Sequence, residues 1–155
     1  MKIRIVALGQ RMPAWVNAGF DDYARRLPRE FALELIELKP EPRERAMTIA
    51  RVLAAEAERI AAATKGFLVV ALDERGQAWA TSQLAEKLRG WRDDASPVAF
   101  VIGSADGLAG RIKRDANVIM ALSALTLPHG LARIVLVEQI YRAASLLRGH
   151  PYHRE

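Results

Sequence analysis

Residues 125–143, LTLPHGLARIVLVEQIYRA, decide how the rest of the chain has to fold. A Pro128-His129 turn leads into a helical pattern that is apolar on nearly every face, yet it carries Arg133, Glu138 and Arg142. A helix that is apolar all round has to be covered on most of its sides. We therefore expect a sheet on one side of it and, in preference to a very thick core, a second copy of the chain on the other.

The composition describes an ordinary globular chain and excludes some functions. The 155 residues include no cysteine, so the chain can form neither disulfides nor thiolate metal sites, and the cytoplasm is the expected compartment. No apolar run is long enough for a secretion signal or a membrane span. The net charge of +5 at pH 7 is a mild bias toward polyanionic partners.

Apolar runs of strand length alternate with helical patterns along the whole chain. Strands are predicted at residues 3–9, 31–38, 67–73, 98–103 and 118–123. Helices are expected between them, among them a long Ala-rich helix over residues 43–63 that ends before Gly66, and a helix capped by Thr81 or Ser82. The alternation predicts one α/β domain over residues 1–155, a mostly parallel sheet with helices on both faces.

Parallel sheets bind ligands beyond the carboxyl ends of their strands, and three such ends are unusual here. They read LDERG, GSADG and LSALTLPHG. Each of Gly76, Gly103 and Gly107 taken alone is most simply a turn residue with positive φ, but their clustering at one edge favours a ligand site. The chain has no dinucleotide-binding, Walker A or G-x-S-x-G motif, and its three histidines lack carboxylates at metal-ligand spacing, so we expect no metal.

The segments LDERG, FVIGSADGL, ALSALTLPHGLARIVLVEQIYRA and GHPYHRE together resemble the ribosomal RNA large subunit methyltransferase H family. That family belongs to the SPOUT superfamily of S-adenosylmethionine-dependent RNA methyltransferases, and the resemblance covers essentially the whole chain. It implies a C-terminal trefoil knot and a homodimer with its active site at the subunit interface. It also implies methylation of N3 of a pseudouridine, pseudouridine 1915 of 23S rRNA, in the assembled ribosome, with no membrane and no DNA as partner.

The resemblance further implies roles for individual residues. The S-adenosylmethionine site is expected to consist of Leu72, Gly103, Leu122, Ser123, Ala124, Leu125, Thr126 and Leu127. The catalytic residues are expected to be Glu138, Arg142, Tyr152 and His153, with His153 or Tyr152 as the proton acceptor. RNA contacts are expected from His129, Arg133 and Arg154. The tail is expected to lie over the mouth of the cofactor pocket.

The chain departs from the family pattern at two positions. Ser104 stands where the family usually has a second glycine, and Gly130 stands where the residue is often larger. A backbone-lined pocket tolerates a small Ser104, so this departure bears on how tightly the cofactor binds. A bulky residue at Gly103 is expected to fill the pocket while leaving the fold largely intact.

Two alternatives stay open. These motifs do not indicate which RNA base is methylated, so the chain also fits a SPOUT methyltransferase with another RNA target. It also fits an RNA-binding dimer without enzymatic activity that keeps the knot for structure.

Overall fold

Five parallel strands form one sheet in the computed structural model, which describes residues 1–154, with side chains through Tyr152. The strands are β1 (Lys2–Leu8), β2 (Ala32–Leu38), β3 (Leu68–Ala78), β4 (Val98–Ile102) and β5 (Val118–Ala121). Their order across the sheet is β2-β1-β4-β3-β5, and every neighbouring pair is parallel. The predicted parallel α/β class is confirmed, and the trefoil knot stays a prediction.

Helices cover both faces of this sheet. They are α1 (Ala14–Arg26), α2 (Ile49–Thr64), α3 (Thr81–Asp93), α4 (Gly110–Asp115) and α5 (His129–Leu147), followed by a short 3-10 helix, η1 (Pro151–Arg154). Alternate residues of β1 point to opposite faces, as in any strand. Ile3 and Ile5 pack with α1, α3 and α5, whereas Val6 and Leu8 pack with α2 and α4. The chain therefore has two hydrophobic cores, one on each side of the sheet.

The apolar helix of the opening stretch is covered mostly by its own chain. α5 lies on the sheet between α1 and α3, and Leu136, Val137 and Ile140 are completely buried. α1 and α3 thus cover much of α5, but Ile134 and Val135 are only half-buried, so cover by a second copy of the chain stays a prediction. Leu131, near the start of the helix, remains 40% exposed.

Two helix starts differ from the prediction. α2 begins at Ile49, since the Thr48 side chain accepts a hydrogen bond from the Arg51 N–H (3.3 Å) and caps the helix there. The residue before α3 is Ala80, whose N–H donates to Gln83 Oε1 (2.8 Å). Helix propensity alone does not locate such boundaries, because the capping hydrogen bonds decide them.

β3 is longer than predicted and is interrupted. Leu72 and Gln77 both lie opposite Met120 of β5, so residues 73–76 bulge out of the ladder between them. Gly76 does not adopt the positive φ of a turn residue. A Cβ at Gly76 would lie 2.7 Å from the Ile119 backbone, so this glycine permits close contact between β3 and β5. Gly107, by contrast, has the expected positive φ, at +82°.

Replacing Gly76 by Ala is expected to destabilise the protein by about 1 to 3 kcal/mol, because the new methyl group collides with backbone that has no room to move. Gly90 is the matched control: it lies exposed in α3, and a Cβ there meets nothing within 4 Å. Gly90→Ala is expected to be neutral or to stabilise by about 0.5 to 1 kcal/mol. Urea unfolding at one fixed protein concentration measures both. Equal effects of the two changes would contradict the close contact of β3 and β5.

Candidate functional site

A cavity of about 860 Å³ opens at the carboxyl edge of the sheet, where β1, β4 and β5 end and β3 bulges. Its wall includes seven of the eight residues expected to bind the cofactor: Leu72, Gly103, Leu122, Ser123, Leu125, Thr126 and Leu127. Ala124 is exposed and lies outside this wall. The three strand ends singled out in the sequence thus meet at one cavity.

The loop after β4 forms a tight turn at one side of this cavity. The Gly107 N–H donates to the Ser104 carbonyl oxygen (2.9 Å), and the positive φ of Gly107 closes the turn. A Cβ at Gly103 would lie 2.6 Å from the Gly107 carbonyl oxygen. The expectation that a bulky residue at Gly103 would remove only ligand space is therefore wrong, because such a residue would break the turn itself.

His129 connects this turn to the start of α5. Its Nδ1–H donates to the Gly103 carbonyl oxygen (3.1 Å), and its Nε2 accepts from Arg133 Nε (2.9 Å), which assigns the neutral tautomer. Burial, followed by the charge of Arg133, lowers the pKa of His129. His129 is therefore neutral at physiological pH and serves as a hydrogen-bonded link in the cavity wall.

Arg133 is buried, with 1% of its side chain exposed. Its guanidinium donates to His129 Nε2, to Glu37 Oε2 (2.6 Å) and to the Gly9 carbonyl oxygen (2.7 Å). The predicted RNA contact through Arg133 is therefore wrong for this chain, because no part of the guanidinium reaches the surface. Arg133 instead joins the ends of β1 and β2 to α5.

Charged groups of both signs lie in the cavity wall. Asp73 and Glu74 come from the bulge of β3, and Lys113 comes from α4. Burial opposes ionisation of Asp73, but the Arg75 N–H and the Lys113 ammonium (3.2 Å) outweigh it and hold the pKa of Asp73 below its usual value. A zwitterionic ligand with a sulfonium, an ammonium and a carboxylate fits a wall of this kind, with apolar leucines beside it to cover an adenine ring.

A second cluster of polar residues lies toward the other end of α5. Glu138 Oε1 accepts hydrogen bonds from Arg142 Nε (2.8 Å) and from the Tyr152 hydroxyl (3.1 Å). None of these three residues lines the cavity. At about 1.5 Å per helical residue, Glu138 is about 13 Å and Arg142 about 20 Å from His129 along the axis. One chain alone therefore keeps the predicted catalytic residues away from the predicted cofactor site.

The C-terminal tail packs against the helix of its own chain. The Tyr152 ring lies 4.6 Å from the Tyr141 ring and 4.7 Å from the Arg142 guanidinium carbon. The expectation that the tail lies over the cavity is therefore wrong within a single chain. The side chains of His153 and Arg154 lie outside the described part of the structure, so their roles stay predictions.

Tyr152 is a hydrogen-bond donor in this cluster. Burial, a hydrogen bond with Tyr23 and the nearby Glu138 carboxylate raise the pKa of Tyr152 well above its ordinary value. A phenol with a raised pKa stays protonated at neutral pH. This arrangement disfavours Tyr152 as the proton acceptor and favours a role as donor.

Sequence reasoning missed several residues of the site. Arg43 and Lys113 line the cavity, and Glu37 holds Arg133. The position of Glu37 at the end of a predicted strand was a signal for it, whereas no local pattern marks Arg43 or Lys113. The described side chains, those of residues 1–152, include no group of three suited to metal binding. No helix in the described part of the chain is long and apolar enough to cross a membrane.

Comparison with known proteins gives a full-length match. The family described as "Predicted SPOUT methyltransferase" matches residues 1–153. Proteins named "Ribosomal RNA large subunit methyltransferase H" from Burkholderia mallei (strain SAVP1) and Burkholderia pseudomallei (strain K96243) are each 54% identical over 155 residues, which is 99% of both chains.

Solved structures show the same fold at lower identity. A probable methyltransferase from Bordetella pertussis Tohama I has a TM-score of 0.59 at 21% identity, covering 92% of this chain and 95% of its own. A probable methylase family protein from Haemophilus influenzae Rd KW20 has a TM-score of 0.59 at 17% identity, covering 97% of this chain and 69% of its own.

The lowered pKa of His129 predicts a specific loss of stability in mild acid. The fold favours the neutral imidazole, so this stability is present above the ordinary histidine value of about 6.5 and is lost as the pH falls below it. Unfolding free energies at about pH 7.5 and about pH 5.5 are expected to differ less in His129→Asn than in the wild type. His150→Asn is the control and is expected to retain the wild-type difference. An unchanged difference in His129→Asn would contradict the assigned tautomer.

Proposed function

Because the chain belongs to the SPOUT methyltransferase family, and within it to the ribosomal RNA large subunit methyltransferase H family, we propose that it methylates N3 of a pseudouridine, pseudouridine 1915, in 23S rRNA of the assembled ribosome. It is an S-adenosylmethionine-dependent rRNA methyltransferase. The full-length identity of 54% to proteins of that name supports the proposed target, and the cavity at the strand ends, which combines backbone turns, apolar side chains and charges of both signs, supports the cofactor.

The cavity wall binds and orients the cofactor. S-adenosylmethionine, when bound, supplies an activated methyl group. The backbone of residues 103–107 and 122–127 would hold the cofactor through amide and carbonyl groups, and Leu72, Leu122 and Leu127 would provide apolar contacts for its adenine. Asp73 and Glu74 provide negative charge for a ligand cation. The task of the chain is then to hold a uracil-like imide in line with the methyl group and to remove its proton.

Two titratable groups in the cavity wall of a single chain are unsuited to accept this proton. Nε2 of His129 already accepts from Arg133, and Asp73 is held ionised, with a lowered pKa, by Lys113. We place the acceptor in the second polar cluster, supplied by the partner of a homodimer. In that cluster the Glu138 carboxylate accepts the proton, Tyr152 donates a hydrogen bond and Arg142 stabilises the negative charge. His153 and Arg154 are proposed to assist at the same place.

Exposed apolar side chains support this homodimer. Trp15 in α1 and Leu131 in α5 are 58% and 40% exposed, and Leu125 at the cavity wall is 76% exposed. The N-terminal ends of α1 and α5 are neighbours, because a Cβ at Gly130 would lie 2.9 Å from Val16. Trp15 and Leu131 thus belong to one region beside the cavity, and a partner that covers this region brings its own α5 close to the cofactor.

The proposed substrate also fixes the place of action. A ribosomal substrate puts the enzyme in the cytoplasm, and the proposal includes neither a membrane nor DNA as partner. The mildly basic chain, with a net charge of +5, suits recognition of a large RNA surface.

Mass mapping of rRNA from cells that lack the protein tests the target directly. We expect loss of one methyl group on one pseudouridine, and its return when the wild-type chain is supplied. Loss of a methyl group at a different nucleotide would show that the chain is a SPOUT methyltransferase with another RNA target. No change in any rRNA nucleotide, together with no binding of S-adenosylmethionine, would favour the RNA-binding dimer without enzymatic activity.

Replacing Tyr152 separates the role of its hydroxyl from that of its ring. Tyr152→Phe keeps the ring contact with Tyr141, and we expect it to reduce methyl transfer to ribosomes by about tenfold, because the donated hydrogen bond is lost. Tyr152→Ala is expected to reduce transfer at least as much, with the dimer still folded. Single-turnover methylation with purified ribosomes measures both rates. Wild-type rates in both variants would show that Tyr152 takes no part in catalysis.

Leu131→Glu tests the dimer without disturbing either core. The wild type is expected to sediment as a dimer at micromolar concentration, and the buried carboxylate of the variant is expected to weaken association by at least about tenfold. Ile49→Glu is the control, because Ile49 is an exposed apolar residue on the opposite face of the sheet, 61% exposed. Glutamate at Val137 or Ile140 would instead unfold the chain, since both face its own sheet core. A wild-type monomer would contradict the shared active site.

A further inference from the structure

The side chain of Ser104 is bound on the face of its turn that lies toward α2. Its hydroxyl donates to Glu56 Oε2 (2.7 Å), and Glu56 is only 2% exposed. The other carboxylate oxygen, Oε1, accepts from the Glu41 N–H (3.2 Å). A buried carboxylate depends on such donors, because it has no water to replace them. Ser104 is thus a structural partner of Glu56.

Arg43 binds the same hydroxyl and lies close to Glu56. Its Nη2 donates to Ser104 Oγ (2.9 Å) and lies 3.7 Å from Glu56 Oε1, while its Nε donates to Asp106 Oδ2 (2.7 Å). Its Nη1 donates to the Glu41 carbonyl oxygen (3.2 Å). The Ser104 hydroxyl therefore accepts from Arg43 and donates to Glu56, which a glycine cannot do.

These contacts join two segments that are far apart in sequence. Residues 39–48 connect β2 to α2 without regular structure, and Arg43 lies within them. Pro40 and Arg43 of this connection line the cavity together with Ser104 and Asp106 of the turn after β4. The connection is therefore a wall of the cavity, and Arg43 fastens it to the turn.

The turn after β4 is consequently held from two sides. His129 binds the Gly103 carbonyl oxygen from the α5 side, and Glu56 and Arg43 hold the Ser104 hydroxyl from the α2 side. A turn held in this way presents its backbone groups in one geometry. This lowers the conformational-entropy cost of ligand binding, because the ligand does not have to order the turn.

We propose that Arg43 and Ser104 are positioning residues for S-adenosylmethionine, which fix residues 39–48 and the turn after β4 as two walls of one cofactor site. This inference rests on the proposed function, because it takes the cavity as the cofactor site. Ser104→Gly introduces the glycine that the resemblance leads one to expect at this position, yet it is expected to weaken cofactor binding in this chain.

Calorimetric titration of the full-length protein with S-adenosylmethionine tests the proposal. We expect Arg43→Ala and Ser104→Gly each to weaken binding by at least about fivefold, because each removes at least one hydrogen bond to a charged or buried group. The effect of the double variant is expected to be smaller than the two single effects combined, because both changes remove the contact between Arg43 and Ser104. Arg45→Ala is the matched control in the same connection, since Arg45 is exposed, and it is expected to bind as the wild type does.

Steady-state methylation of ribosomes distinguishes a positioning role from a general structural one, because positioning affects the KM for the cofactor without lowering kcat. We expect the KM for S-adenosylmethionine to rise in Arg43→Ala and Ser104→Gly, with kcat at saturating cofactor retained. Wild-type affinity in both variants, or effects that simply add in the double variant, would overturn the proposal. A wild-type protein that does not bind S-adenosylmethionine at all would overturn the proposed function instead.

Discussion

The buried guanidinium of Arg133 is the interaction on which the site depends. A charge buried this deeply is tolerated only when hydrogen-bond partners surround it, and here the Gly9 carbonyl, the Glu37 carboxylate and the His129 imidazole provide them. The same contacts tie α5 to the ends of β1 and β2, and His129 extends them to the end of β4. The hydrogen bonds that stabilise the buried charge of Arg133 thus also hold together the strand ends and the helix that surround the cavity.

Much of the fold could be predicted because its signals are local. Apolar runs of strand length, separated by helical patterns, predicted the parallel sheet, and three unusual strand ends predicted a ligand site at one of its edges. Seven of the eight cofactor residues that the family resemblance implied line the cavity at that edge. Residues that follow parallel strands necessarily meet at one edge of the sheet. Gly66 and Gly107 also behave as predicted, because a positive φ is a property of a single residue and its immediate neighbours.

What the sequence did not show depends on contacts between distant segments. Arg133 meets Glu37 across 96 residues and Ser104 meets Glu56 across 48, so nothing near either residue indicates that it is bound inside the protein. Gly76 looks like a turn residue until β5 is placed beside it. The apolar surface of α5 suggested a partner subunit, but α1 and α3 cover most of it, and only the folded chain shows which apolar residues remain exposed.

We propose that the cavity of one chain is completed by the cluster of Glu138, Arg142 and Tyr152 from its partner. Subunit mixing tests this most directly. Ala105→Trp, at an exposed position in the cavity wall, is used as a chain that cannot bind cofactor, and Tyr152→Ala as a chain with a defective cluster. After the two impaired proteins are unfolded and refolded together, the mixed dimer contains one intact site, so methylation of ribosomes is expected to exceed that of either protein refolded alone. A mixture no more active than its two components would contradict the shared site.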